Sequence, residues 1–83
     1  MLTDYVNAAM RHAEYERLED DTWYGEIPEL QGVFANAPTL EACREQLRSV
    51  LEGWIALGYH LGHILPVVDG IDINIYIHPA VTT

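Results

Sequence analysis

The sequence contains no lysine and only four arginines (Arg11, Arg17, Arg44, Arg48), against thirteen Asp and Glu residues. The net charge is −9 with the histidines neutral. Phosphate backbones are held by clustered cations, so this balance argues against direct nucleic-acid binding and against an anionic membrane surface. A second cysteine is also missing. Cys43 therefore has no intrachain disulfide partner, and the fold must rest on packing, within the chain or shared between subunits. No apolar run is long enough to span a bilayer. The start, Met1-Leu2-Thr3-Asp4-Tyr5, has neither the basic nor the apolar region of a signal peptide. Together these absences point to the cytoplasm. No internal repeat, low-complexity tract or Gly/Ser/Pro-rich linker divides the chain, and 83 residues leave room for one core only. What is present is 49% hydrophobic residues, too many for a disordered acidic tail.

Leu2, Tyr5, Val6, Ala9 and Met10 fall at helical spacing, so residues 1–12 read as a short helix. A helix of that length is marginal alone and must dock on a sheet or on another subunit. Ala13–Leu18 and Thr22–Ile27 alternate as two strands around the polar tip Glu19-Asp20-Asp21. Pro28 ends the second strand, Gly32 marks a turn, and Val33–Asn36 allows a short third strand. Thr39 is a good N-cap, with Glu41 in the favourable first turn. From there Leu40, Cys43, Leu47, Val50, Trp54, Leu57 and Leu61 form one stripe of a long amphipathic helix, widened by Leu51 and Ile55. Glu45–Arg48 and Arg48–Glu52 are spaced to pair on its exposed side. Asp69-Gly70 is a turn, after which Ile71, Ile73, Ile75 and Ile77 alternate with Asp72, Asn74, Tyr76 and His78 as a strand buried on one face. The expected fold is α+β, in the order α-β-β-β-α-β. It has a mainly antiparallel sheet of about four strands and one long crossover helix on one face.

Taken in order, three stretches carry a resemblance. They are Trp23-Tyr24-Gly25-Glu26-Ile27-Pro28-Glu29-Leu30-Gln31-Gly32-Val33, then Ala37-Pro38-Thr39-Leu40-Glu41-Ala42, then Leu51–Gly58 with Leu65-Pro66. This set resembles the HicB family of bacterial antitoxins over roughly residues 13–78. The resemblance implies a reduced RNase H-like sheet with one crossover helix, acting as a single domain over 1–83 with its core at 13–78. It also implies neutralisation of a HicA-type toxin, a small basic ribonuclease that cuts mRNA. The family usually has Pro-Gly-Cys after Pro-Glu-Leu, where this chain has Gln31-Gly32-Val33, and the first helix is an addition to the common pattern. Many members carry a C-terminal DNA-binding domain; this sequence stops at Thr83, straight after the last strand, and is expected to lack one.

An RNase H-like sheet raises the question of a nuclease, which needs converging carboxylates. Glu14, Glu16 and Asp72 are the only strand candidates, and Glu41, Glu45 and Glu52 sit on the solvent side of the long helix. Without a basic surface to hold RNA, no catalytic residue is expected. His60 and His63 are three apart at a helix end, where the dipole favours them; no third and fourth metal ligand accompanies them. His12 and His78 read as ordinary surface residues, Cys43 as a small buried hydrophobe, and Trp23 and Trp54 as core or interface anchors. No metal and no cofactor are expected.

The acidic charge carries more information. Residues 14–29 hold Glu14, Glu16, Glu19, Asp20, Asp21, Glu26 and Glu29 against Arg17 alone, a net −6. These seven are the candidate partner-binding residues, a negative surface mimicking the phosphates a basic ribonuclease expects; the plainer account is a hairpin kept soluble by repulsion. Self-association to a homodimer or homotetramer is also expected. Its candidate interface is Leu2, Tyr5, Val6 and Ala9 of the first helix with Asp72, Asn74 and Tyr76 of an edge strand. The leading expectation is an antitoxin that binds a HicA-like basic toxin. The alternatives are an orphan HicB-like homo-oligomeric regulator and a residual RNase H-like hydrolase.

Overall fold

The computed structural model describes residues 1–75. Two helices and three strands follow in the order α1 (Leu2–Arg11), β1 (Glu14–Arg17), β2 (Trp23–Glu26), β3 (Phe34–Ala37) and α2 (Leu40–Leu61). The strands form one antiparallel sheet in the order β1-β2-β3, an α+β fold as expected. At the hairpin tip Leu18 N–H donates to Thr22 O at 2.8 Å, and Asp21 takes a left-handed φ of 67°. Asp20 Oδ1 closes the turn by accepting from Thr22 N–H and Oγ1–H at 3.1 and 2.6 Å, the local bonding that makes Asp a turn residue.

Register decides which side chains share a face. Gly25 lies opposite Tyr15 and Ala35, and Trp23 opposite Arg17 and Ala37. The helix-facing side of the sheet is therefore built partly of small residues, which lets α2 come close. A Cβ on Gly25 would stand 2.8 Å from the Tyr15 ring and 3.1 Å from Cys43 Sγ. Cys43 Sγ–H in turn reaches Ala35 O at 3.7 Å. Cys43, Leu47, Leu51, Ile55 and Gly58 are the buried line of α2. The helix begins where Thr39 Oγ1 accepts from Ala42 N–H at 3.0 Å. It ends at Gly62, whose φ of 72° and the His63 N–H to Gly58 O bond at 2.9 Å satisfy its last carbonyls.

Twenty-two residues make α2 about 33 Å long, whereas a four-residue strand spans only about 13 Å. The helix overhangs its sheet, and α1 fills part of the remainder. Tyr5, Ala8 and Ala9 are fully buried there and Val6 nearly so, in one cluster with Leu47, Leu51 and Ile55. Tyr5 Oη–H also donates to Pro66 O at 2.7 Å. This corrects the expectation for the first helix: Tyr5, Val6 and Ala9 belong to the chain's own core and present nothing to a partner. Leu2, 48% exposed, remains at the surface.

The expected last strand behaves differently from the other three. Of its described part, residues 71–75, only Ile71 pairs, in an isolated antiparallel bridge with Val68. The Asn74 amide donates to Leu65 O at 2.8 Å and accepts from Leu65 N–H at 2.6 Å, which fastens this segment to the loop that follows α2. Asp72 Oδ1 accepts from Asn74 N–H at 2.9 Å, and both residues are half-buried. Asn74 and Asp72 thus make intrachain bonds where interface contacts were expected. Tyr76, Ile77 and His78 lie outside the described residues.

Candidate partner-binding face

The side of the sheet turned away from α2 alternates with the buried one. In β3, Ala35 and Ala37 are buried while Phe34 and Asn36 are exposed. Following the register outward, Glu14 stands opposite Glu26 and Glu26 opposite Phe34; Glu16 stands opposite Tyr24 and Tyr24 opposite Asn36. One open face therefore displays three carboxylates, two aromatic rings and an amide. Tyr24 and Phe34 stack at 6.3 Å between centroids with their planes 27° apart, and Phe34 is 56% exposed. Tyr24 Oη–H donates to Glu26 Oε1 at 3.0 Å. That bond, followed by desolvation and the charges of Glu26 and Glu16, pushes the Tyr24 phenol above its ordinary pKa. Glu14, Tyr15, Glu16, Tyr24 and Glu26 line a shallow cleft of about 180 Å³.

Like charges directly opposite on a sheet are destabilising, so the Glu14–Glu26 pair weakens the fold. A cation docked between them would reverse that effect. Stacked rings beside carboxylates suit the flat guanidinium of an arginine in particular.

The seven acidic candidates do not all gather here. Glu14, Glu16 and Glu26 do. Asp20 holds the turn through Thr22, which lowers its pKa, and Asp21 pairs with Arg17 at 3.1 Å. Glu19 is exposed at the same tip. Glu29 lies beyond the end of β2, where its carboxylate meets His12 Nδ1 at 3.0 Å while Asp69 meets His12 Nε2 at 2.8 Å. Arg11 approaches Asp69 at 3.9 Å. His12, read from sequence as an ordinary surface residue, thus joins the end of α1 to two loops, 17 and 57 residues away. The hydrogen bonds to Glu29 and then Asp69, with the charges of both carboxylates, raise its pKa, and His12 lowers that of Glu29.

Arg48, expected to pair along α2, donates instead to Asn7 Oδ1 of α1. Cys43 is fully buried, and burial pushes its thiol up. Trp23 and Trp54 pack, partly buried, against the core. Among the described residues no group of three His, Cys, Asp or Glu could hold a metal ion, and no helix is long and apolar enough to cross a membrane.

Sequence reasoning missed Tyr24, Phe34 and Asn36 as members of the face. Tyr24 shares the parity of Glu26, a signal that was available. For Phe34 and Asn36 the register between β2 and β3 was needed.

A family model described as UPF0150-like matches residues 4–66. The chain belongs to this family. The match takes in most of α1, the whole sheet and α2, so the open face and the long helix both lie within it. Among solved structures, TTHA0281 from Thermus thermophilus is similar at 35% sequence identity and a TM-score of 0.85, over 92% of this chain and 95% of that one. No curated protein matches.

Proposed function

We propose that this UPF0150-like chain is an antitoxin of the HicB type, a cytoplasmic protein-binding module without catalytic activity that neutralises a small basic mRNA interferase of the HicA type. One observation carries the reading: Glu14, Glu16 and Glu26 share a sheet face, covered by none of the described residues, with Tyr24 and Phe34, including a like-charge pair that a cationic partner would relieve. The resemblance of residues 13–78 to HicB supplies the partner's class. Association would be steered by the chain's negative field, and it would be held by arginines of the toxin stacked on the rings and paired with the carboxylates.

The test is co-purification of the chain with the product of the neighbouring reading frame, followed by titration of wild type and the triple variant Glu14→Gln, Glu16→Gln, Glu26→Gln. Gln keeps size and hydrogen-bonding capacity while removing charge. The expected result is a complex for wild type and at least a tenfold loss of affinity for the variant. Equal affinity would remove the sheet face from the interface.

A further inference from the structure

The sequence stripe of α2 divides in two in the folded chain. Up to Leu47 it runs along the buried line. Beyond it the buried residues are Leu51, Ile55 and Gly58, while the continuation at alternating three- and four-residue steps, Val50, Trp54, Leu57 and Leu61, moves from the edge of the core out into solvent. Val50 and Trp54 are partly buried, and Leu57 and Leu61 are 56% and 53% exposed. Four apolar residues at 3.5-residue spacing are the seam by which helices pair, and among the described elements none packs over Leu57 and Leu61.

The neighbouring positions on that side of the helix are Ser49, Gly53, Ala56 and His60, all exposed. From Ser49 to Gly62 the only acidic or basic residue besides His60 is Glu52. Glu52 lines a cleft with Leu2, Val6 and Arg48 on the side of α1, away from the seam. A molecule of net −9 thus keeps carboxylates off one apolar face, while its acidic sheet face lies on the far side of the sheet from α2.

We infer that this face is the contact between two copies of the chain, α2 against α2 about a two-fold axis through the seam near Leu57. A cationic protein finds no counter-charge here, whereas a second copy meets no like charge. The surface is also self-complementary, with Leu57 and Leu61 protruding beside the small Gly53 and Ala56. A Cβ on Gly53 would meet nothing within 4 Å, so there is room for a neighbouring side chain. Leu57, Leu61 and, just past the helix, Ile64 and Val67 are each more than half exposed. With the half-buried Trp54 they give this end of the helix an exposed apolar surface, the kind of area from which the ~1,200 Å² of a specific interface is built. The inference stands whether or not a toxin binds the opposite side.

The test uses the full chain at two levels. Light scattering across concentration should give a dimer mass at roughly 100 μM, and Leu57→Glu should raise the dissociation constant at least tenfold. Its far-UV circular dichroism should be unchanged, because Leu57 is already in water in the monomer; Leu61→Glu serves equally should the first variant misfold. Leu57→Cys should form an intermolecular disulfide under mild oxidation, since a residue near a two-fold axis meets its own copy. Buried Cys43 supplies the unreactive internal control. A wild-type monomer at roughly 100 μM, or a dimer that survives both glutamate substitutions, would overturn the inference.

Discussion

The two faces of the three-stranded sheet obey opposite rules. The inner one sets Gly25, Ala35 and Ala37 among Tyr15 and Trp23, and its small residues let α2 approach until Cys43 touches a strand carbonyl. The outer one is built from Glu14, Glu16, Tyr24, Glu26 and Phe34, residues that are large, charged or aromatic and covered by nothing described. Both come from the same three short strands, separated only by the period-two alternation of a strand. The inner face is selected for packing, and the outer face carries a like-charge pair that packing alone would eliminate. That pair is where the proposed binding role can be tested against plain solvation.

Disturbing the inner side should produce the largest effects. Leu47→Ala removes a fully buried side chain of α2 and should destabilise the fold by about 2–5 kcal/mol, measured by urea denaturation. Gly25→Ala places a methyl 2.8 Å from the Tyr15 ring and 3.1 Å from Cys43 Sγ. It should cost about 1–3 kcal/mol by overpacking, with an unchanged m-value, because the strand stays formed.

The outer side should respond with the opposite sign. Glu14→Gln removes the repulsion across the Glu14–Glu26 pair and should raise stability by about 0.5 kcal/mol, visible as a small rise in Tm. The same substitution should weaken toxin binding. Stability and affinity moving in opposite directions is the outcome that separates a functional face from a merely solvated one. A fall in Tm would show that Glu14 supports the fold, and the contrast between the faces would fail.

How much of this was legible beforehand follows the range of each interaction. Thr39 as N-cap and the Glu19–Asp21 tip are set by neighbours within a turn, and they fold as the residues suggest. The apolar positions of α2 were visible as one stripe, but which flank would be buried was not. Gly25 and the two alanines set the helix's approach, and the buried line then follows the four-residue steps Cys43, Leu47, Leu51, Ile55 in preference to the alternating ones. The Ile71–Ile75 alternation is a genuine strand pattern, yet in the fold Asn74 bonds Leu65 with its side chain and only Ile71 pairs, with Val68. Of the acidic group, Glu14, Glu16 and Glu26 could be placed together by parity. Glu29 was separated from them by His12, a partner 17 residues upstream that no local pattern announces.

That His12 contact gives the smallest expected effect and the one most dependent on conditions. His12 is held by Glu29 and Asp69, and its pKa is raised above the ordinary 6.5 by those bonds, Glu29 first. A raised histidine contributes stability that is complete below its unfolded pKa and is lost as pH rises through the folded value. Glu29 is lowered from 4.5, chiefly by His12, so its contribution is present above that value and fades as pH falls through the lowered one. The clasp is therefore fullest between about pH 4.5 and 6.5. All three side chains are partly exposed, so salt screens the effect. Falling pH also relieves the repulsion of a −9 chain generally, and a bare pH profile would mix the two. The difference in Tm between wild type and His12→Gln isolates the clasp. It should be largest near pH 5.5, shrink by pH 8.5, and diminish at high salt, whereas variants of the outer sheet face such as Glu14→Gln should leave that difference untouched. A wild-type advantage over His12→Gln that is constant from pH 5.5 to 8.5 would mean that His12 acts by its shape at the end of α1 and not by its charge.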